Sequence, residues 1–231
     1  MSGLTQGPAA AASVAGRALA DLAPTLYVSN GRGGTVTPIA TATNTPGPPI
    51  EVGTGPGLIV ITPDGKTAYV TGNGDRVTPI ATATNTPGPP IEVGQGPDRI
   101  AVTPDGKTVY IASIGSNTVT PIATATNTPG QPITVGMGPR AIAITPDGKT
   151  VYVASWQAGV VTPIATATNT PGRPIEVGEG ARAFAITADA KTLYVLVWGE
   201  PGSVVPIATA TNTPGTPIEV GDGPYAIAIT P

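Results

Sequence analysis

The sequence predicts an all-β fold, a β-propeller of five four-stranded antiparallel blades, and three observations carry this prediction. First, a segment close to VTPIATATNTPGPPIEVG occurs five times, beginning at Val36, Val77, Val119, Val161 and Val204. Second, the copies are 41 to 43 residues apart, which is the length of one propeller blade. Third, the 31 glycines and 28 prolines fall at fixed offsets between apolar runs, so they indicate turns between strands and not a disordered chain.

One repeat, residues 96–135, illustrates the four strands in order. GPDRIAVT alternates apolar and polar residues and predicts the first strand, and the Pro-Asp-Gly that follows favours a tight turn. KTVYIAS is rich in β-branched and aromatic residues and predicts the second strand. NTVTPIATATN and QPITVG predict the third and fourth strands, separated by the turn NTPG. Each repeat is therefore expected to form one antiparallel blade.

A proline lies inside the third strand of every repeat. These prolines are Pro38, Pro79, Pro121, Pro163 and Pro206. Proline has no backbone N–H to donate, and in sheets it is confined to edges and bulges. We therefore expect a short outermost strand whose pairing is broken opposite each proline.

The blade boundaries follow from the repeat. Residues 25–231 are predicted to form the propeller, with blades 2 to 5 at about 55–94, 96–136, 138–178 and 180–221. Blade 1 is split between 25–53 and 223–231, so the C-terminal strand is expected to close the ring on the N-terminal blade and leave no open edge. Residues 1–24 are an Ala-rich extension, expected to be weakly ordered or helical. A cleavable signal segment and a degenerate propeller strand remain alternatives for it.

Composition excludes several classes of function. The net charge of -3 provides no basic surface for nucleic acid, and no apolar run is long enough to enter a membrane. The chain has neither Cys nor His, which removes thiol nucleophiles, disulfides, the commonest metal ligand and the usual general base near neutral pH. We therefore expect no metal, no cofactor and no enzymatic activity, and we expect a monomer.

The motifs TLYVSN, GPRAIAITPDGKTVYVAS and VTPIATATNT together resemble the YVTN family of β-propeller repeats, whose blades are similar to those of WD repeats. The resemblance covers residues 25–231. It implies that the GPxxIAITPDG strand is innermost and the PIEV strand outermost, and it implies a secreted or cell-envelope location. Two departures are visible. The family's third strand often reads VIDTATN, whereas alanine stands at its Asp position here. Members often form seven blades, whereas five repeats are present.

The repeats differ from one another in two connections, which a four-stranded blade places on the same face. One connection enters the innermost strand and the other joins the second strand to the third. The candidate ligand-binding residues at the channel mouth and on this variable face are Asp98, Arg99, Arg140, Trp156, Arg182, Trp198 and Tyr225. Arginine suits carboxylates and phosphates, and exposed aromatic rings are typical anchors of binding surfaces. Unconstrained drift of these loops is the alternative interpretation.

From this pattern we expect a non-catalytic interaction or cell-surface structural module. Its partner would be an unidentified protein, a glycan or a small anionic ligand bound at the variable face. One alternative is a carbohydrate-active enzyme that uses Asp98, Glu179 and Asp222 at the channel mouth, because glycoside hydrolysis needs two neighbouring carboxyl groups. Another is a shortened propeller that assembles with other chains.

Overall fold

A computed structural model describes residues 24–230, and in this range the chain is all-β, without helices. The expectations for the N-terminal extension fall almost wholly on residues 1–23, which lie outside the described residues. The described chain forms five antiparallel sheets, one for each repeat, which we number blades 1 to 5.

Each blade follows the same order along the chain. Blade 1 contains β1 (Thr25–Asn30), β2 (Thr35–Ala40), β3 (Thr45–Pro46) and β4 (Ile50–Glu51). Blade 2 contains β5 (Ile59–Ile61), β6 (Thr67–Thr71), β7 (Arg76–Ala81), β8 (Thr86–Pro87) and β9 (Ile91–Glu92). Blade 3 contains β10 (Pro97–Val102), β11 (Thr108–Ser113), β12 (Thr118–Ala123), β13 (Thr128–Pro129) and β14 (Ile133–Thr134). Blade 4 contains β15 (Pro139–Ile144), β16 (Thr150–Ser155), β17 (Val160–Ala165), β18 (Thr170–Pro171) and β19 (Ile175–Glu176). Blade 5 contains β20 (Ala181–Ile186), β21 (Thr192–Val197), β22 (Ser203–Ala208), β23 (Thr213–Pro214) and β24 (Ile218–Glu219).

The third strand of each blade carries an interrupted outer partner, as its proline predicts. In blade 3, β11 pairs with β12 without a break, and Tyr110 lies opposite Pro121. On the other side of β12 the partner is split into β13, which pairs near Ile122, and β14, which pairs near Val119. Between these two segments the Gly130 N–H donates to the Pro121 carbonyl at 2.7 Å, and the equivalent bond in the other four blades is 2.7 or 2.8 Å long. The expected break in the outermost strand is confirmed.

The apolar core lies between successive blades and not within one blade. Between blades 3 and 4, the buried Tyr110 and Val119 pack with Val151, Val153 and Ile164. Three similar clusters join the other neighbouring blades. Because a single blade has no core of its own, each blade depends on its neighbours for stability.

At each of these interfaces, a tyrosine hydroxyl of one blade is hydrogen-bonded to the blade that follows it. Four tyrosines each donate to an asparagine Oδ1 in the following blade: Tyr27 to Asn85, Tyr69 to Asn127, Tyr110 to Asn169 and Tyr152 to Asn212, at 2.5–2.7 Å. Every one of these asparagines has a positive φ near 53–54°. Asparagine is suited to the position because it tolerates the left-handed conformation better than other non-glycine residues and also provides the acceptor. The repeated tyrosines therefore connect neighbouring blades.

The aspartates of the turn between the first two strands stabilise that turn, as predicted. Asp105 Oδ1 accepts from the Thr103 hydroxyl at 2.7 Å and from the Lys107 N–H at 3.0 Å. These two hydrogen bonds hold the pKa of the Asp105 carboxyl below its usual value. The same arrangement occurs at Asp64, Asp147 and Asp189.

The predicted closure of the ring by the C-terminal strand is wrong. Residues 224–230 form no strand, and within residues 24–230 no partner strand lies beside β1 on its inner side. Leu26 and Val28 of β1 are consequently 56% and 44% exposed, and Ile229 is 45% exposed. The repeat sequence specifies each blade, but the angle between blades decides whether five of them meet, and that angle is set by packing between blades.

Candidate functional site

The two variable connections of blades 3 to 5 lie together and are joined by backbone hydrogen bonds. The Trp156 N–H donates to the Gly138 carbonyl at 2.8 Å, and the Gly180 N–H donates to the Trp156 carbonyl at 2.9 Å. The Trp198 N–H then donates to the Gly180 carbonyl at 2.9 Å. These bonds connect neighbouring blades along one edge. We call residues 95–99, 114–117, 137–140, 156–157, 179–182, 198–201 and 222–225 the variable rim.

In blades 3, 4 and 5, a β-bulge in the innermost strand places one side chain at the variable rim. In β15, Pro139 lies opposite Ser155 and Ala141 lies opposite Ala154, which leaves Arg140 without a partner residue. The same shift leaves Asp98 unpaired in β10 and Arg182 unpaired in β20. Bulges of this kind occur next to active sites, where the extra residue reorients a side chain. Asp98, and not Arg99, therefore occupies the position equivalent to the two arginines.

The bulge arginines contact an aromatic cluster. The guanidinium carbon of Arg182 lies 4.0 Å from the ring centroid of Tyr225 and 5.5 Å from that of Trp156. Arg140 lies 6.0 Å from the Trp156 ring. The rings of Trp156 and Trp198 are 5.9 Å apart and inclined by 35°. Five of the seven candidate residues from the sequence thus form one cluster that runs from blade 4 to the C-terminal segment.

The other two candidates, Asp98 and Arg99, are joined to the cluster through the backbone. Arg99 Nη1 lies 3.1 Å from Asp98 Oδ1, and the Arg99 Nε–H donates to the Arg140 carbonyl at 2.8 Å. Arg99 therefore holds the Arg140 backbone and neutralises the Asp98 carboxylate. By contrast, the guanidinium groups of Arg140 and Arg182 donate no hydrogen bond to any protein acceptor within residues 24–230.

Two further carboxylates belong to the variable rim beside Trp198. Glu179 lies between Gly178 and Gly180, in the loop that the two tryptophan backbones hold, and its side chain is exposed. Asp222 is also exposed and precedes Gly223, where a methyl group on the Cα would stand 3.5 Å from Nε1 of Trp198. Neither carboxylate takes part in an ion pair among the described residues. The bulges depend on the register between consecutive strands of one blade, and the contact between the tryptophans depends on how neighbouring blades pack, so alternation and turn residues do not mark either.

Elsewhere in the described chain, the grooves contain fewer groups that could bind or react with a ligand. A groove of about 520 Å³ between the outer strands of blades 3 and 4 is lined by prolines, threonines and amides, without an ionisable side chain. Over residues 24–230, no group of three or more acidic side chains is placed to hold a metal ion. Nor does this part of the chain contain a helix with the length and hydropathy of a membrane span.

The repeated four-stranded blades and the bulged inner strands define a β-propeller. The family model described as "Lactonase, 7-bladed beta-propeller" matches residues 50–172, which is more than half of the chain. The chain belongs to this family of propeller lactonases. The rings of this family have seven blades, which agrees with the open arrangement of the five sheets here and again contradicts a closed ring of five.

Solved structures also resemble the chain. Hydrazine synthase of Kuenenia stuttgartiensis is 29% identical, with a TM-score of 0.66, over 71% of this chain and 48% of that one. The dihydro-heme d1 dehydrogenase NirN is 18% identical, with a TM-score of 0.75, over 90% of this chain and 46% of that one. A candidate 6-phosphogluconolactonase from Bacteroides uniformis is 20% identical, with a TM-score of 0.66, over 85% and 71%. The chain therefore spans about half the length of the first two. No curated protein sequence gives a significant match.

These findings correct the expected function. The chain was expected to be non-catalytic because it lacks His and Cys, but the lactonase family to which it belongs indicates an enzyme-like propeller. The expectation failed because ester hydrolysis requires neither residue. A carboxylate can serve as general base, and a guanidinium can stabilise the oxyanion. The chemistry depends on where these groups meet, which composition does not reveal.

Proposed function

We propose that this protein hydrolyses the lactone ring of an anionic sugar acid, which it binds at the variable rim. The observation that carries the proposal is the pair of bulge arginines, Arg140 and Arg182, whose guanidinium groups contact aromatic rings and have no protein acceptor among the described residues. Membership in the propeller lactonase family supports this reaction class. The 6-phosphogluconolactonase candidate among the similar folds suggests the kind of substrate.

The geometry of the arginines favours an anionic ligand. When a guanidinium stacks on an aromatic face, its N–H groups lie in a plane parallel to the ring. They remain free there to bind a carboxylate or phosphate in bidentate fashion. Arg182 contacts two aromatic rings, with its guanidinium carbon 4.0 Å from the centroid of Tyr225 and 5.5 Å from that of Trp156. Trp198 is 42% exposed and adds a surface on which the apolar face of a sugar ring can stack.

The hydrolysis itself needs a base and an oxyanion site, and the variable rim contains both residue types. A water molecule attacks the lactone carbonyl while a carboxylate accepts its proton, and a guanidinium stabilises the negative charge on the carbonyl oxygen. The ring C–O bond then breaks, and the proton passes to the leaving alkoxide, which gives a hydroxy acid. We assign the base to Glu179 and the oxyanion site to Arg140. The carboxylate of Asp98 is less suitable because Arg99 already binds it.

Steady-state hydrolysis of aldonolactones, with and without a phosphate group, tests the proposal by acid release at constant pH. Arg140→Ala should lower kcat by about 100- to 1,000-fold, the usual effect of losing one oxyanion donor. Glu179→Gln should lower kcat with little effect on KM. Arg182→Ala should mainly raise KM for phosphorylated substrates.

Arg173→Ala is the matched control, because Arg173 is an exposed arginine on the outer part of blade 4. It should leave hydrolysis unchanged. Absence of lactone hydrolysis in the unmodified protein, or an equal loss in the Arg173 and Arg140 variants, would contradict the proposal.

The YVTN character of the repeats is proposed as a finer description of this propeller. It is supported by the recurrence of TVYI or TVYV on the second strand and of VTPIA on the third in blades 3 and 4. Under this proposal the small anionic ligand expected from the sequence is the substrate, and the seven candidate residues form or position its binding site.

A further inference from the structure

The two bulge arginines share one aromatic ring, that of Trp156. The guanidinium carbon of Arg140, in β15 of blade 4, lies 6.0 Å from the centroid of this ring. The guanidinium carbon of Arg182, in β20 of blade 5, lies 5.5 Å from the same centroid. The two guanidinium carbons are therefore no farther apart than the sum of these distances. A sugar acid with an anionic group at each end of its chain can reach both arginines across such a span.

Backbone hydrogen bonds hold the two arginines and the shared ring in a fixed relation. The Trp156 N–H donates at 2.8 Å to the carbonyl of Gly138, which lies two residues before Arg140. The Trp156 carbonyl accepts at 2.9 Å from the N–H of Gly180, which lies two residues before Arg182. Gly180 has a φ of 95°, a conformation that residues with a side chain rarely adopt. The loops that carry the two arginines are thus attached to the same tryptophan.

Solvent reaches both arginines. Arg140 is exposed and Arg182 is half-buried, and Tyr225, whose ring Arg182 contacts, is 77% exposed. The neighbouring Arg99 is placed differently, because its guanidinium lies 3.1 Å from the Asp98 carboxylate. The charge of Arg99 is therefore offset by a neighbour, whereas the guanidinium groups of Arg140 and Arg182 face aromatic rings. An anion that enters the variable rim meets the charges of these two residues.

Lactone hydrolysis adds a negative charge to the ligand. In a phosphorylated lactone the phosphate is charged, but the carbonyl oxygen is neutral. Water adds its oxygen to the carbonyl carbon, the ring C–O bond breaks, the ring oxygen takes a proton, and the new carboxyl group releases a proton to solvent. A guanidinium that stabilises the oxyanion also donates to the resulting carboxylate. Hydrogen bonds to a charged acceptor are about twice as strong as those to a neutral one, so the product gains an interaction that the substrate lacks.

We propose that the two bulge arginines form a two-anion site that retains the hydroxy acid product, with its phosphate at Arg182 and its carboxylate at Arg140. This inference rests on the proposed function. The product should bind about 10-fold more tightly than the lactone, the ratio expected when one neutral acceptor becomes charged. The product then competes with the lactone, and hydrolysis slows as the product accumulates until a further reaction consumes the sugar acid.

Isothermal titration calorimetry at constant ionic strength tests the two-anion site without any lactone. The ligands are D-glucarate, D-gluconate and D-glucitol, which share a six-carbon chain and carry two, one and no carboxylates. Glucarate should bind about 10-fold more tightly than gluconate, and glucitol should bind most weakly. Arg140→Ala and Arg182→Ala should each abolish the preference for glucarate, and neither bulge residue has a partner in the strand pairing that the change would disturb.

Arg173→Ala is again the matched control and should leave the preference for glucarate unchanged. Equal affinities for glucarate and gluconate overturn the proposal. Loss of the preference in the Arg173 variant also overturns it, because that result means that charge alone, and not the two-anion site, attracts the ligand.

Initial rates with added product provide the second test. 6-Phosphogluconate, added to the hydrolysis of its own lactone, should inhibit competitively with a Ki about 10-fold below KM. Arg182→Ala should raise Ki and KM together, because substrate and product both carry the phosphate. Arg140→Ala should raise Ki by about 10-fold with a smaller effect on KM, because only the product carries the carboxylate.

This inference and the proposed function fail in different ways. Hydrolysis without inhibition by its product overturns the inference and leaves the proposed function standing. Preferential binding of glucarate through both arginines, without hydrolysis of any lactone, contradicts the proposed function and supports the two-anion site.

Discussion

The tyrosine–asparagine link between blades 3 and 4 gives a quantitative prediction for Tyr110→Phe. The ring of Tyr110 is fully buried, and its hydroxyl donates to Asn169 Oδ1 at 2.6 Å. Phenylalanine keeps the ring and its packing against Val151 and Ile164, so the change removes one hydrogen bond and little else. Asn169 is exposed, and water can replace the lost donor. We therefore expect a loss of about 1 kcal/mol in the free energy of unfolding.

Urea and thermal unfolding measure this loss, which should lower the melting temperature by about 2–4 °C for a domain of this size. Tyr194→Phe is the matched control, because Tyr194 has the same place in blade 5 but no asparagine partner among the described residues. In dilute protein it should change stability by much less than Tyr110→Phe. A double-mutant cycle with Asn169→Gly, which keeps the positive φ and removes the acceptor, should return a coupling of about 1 kcal/mol.

The pH dependence of the free energy of unfolding provides a second test. Burial, with a smaller contribution from the charge of Asp105, raises the pKa of Tyr110 to about 12. The unfolded chain releases this proton near pH 10, so the contribution to stability is complete below pH 10 and is lost as pH rises toward 12. Tyr110→Phe lacks this term, and its deficit should shrink over that interval. Equal losses in the Tyr110 and Tyr194 variants, or a coupling near zero, would refute the reasoning.

Three further predictions concern single positions. Ala190 has a φ of 58° where the other blades have glycine, so Ala190→Gly should raise the free energy of unfolding by about 1 kcal/mol, while Gly148→Ala should lower it. The buried hydroxyl of Thr120 has no hydrogen-bond partner among residues 24–230, so Thr120→Val should stabilise the protein against denaturant. The control is Thr103→Val, which removes a hydroxyl that is hydrogen-bonded and should therefore destabilise the protein. The pKa of Asp105 is lower in the folded protein than in the unfolded chain. The Asp105 carboxylate therefore contributes to stability above the pKa of the unfolded chain, and this contribution is lost as the pH falls through the folded pKa. Asp105→Asn should make stability less dependent on pH in the acid range.

Much of the blade could be predicted from local sequence. The strand order, the turn at Asp105 and the break opposite Pro121 follow from alternation, turn chemistry and the missing N–H of proline, all of which act within a few residues. The candidate site was predicted less completely. The five residues of the cluster lie in the loops that differ between repeats, but only the strand register distinguishes Asp98, the equivalent of Arg140 and Arg182, from Arg99. A bulge depends on the register between two strands, which the repeat pattern does not specify.

The sequence by itself determined what each blade is and which of its connections vary, because those properties depend on periodicity and turn residues that recur every repeat. The tertiary structure decided the rest. Packing between blades sets the angle at which they stack and so leaves the five sheets open. Register shifts in the inner strands bring Arg140 and Arg182 to the aromatic rings. The first depends on packing between blades and the second on the register between paired strands, and neither is determined by alternation or turn residues alone.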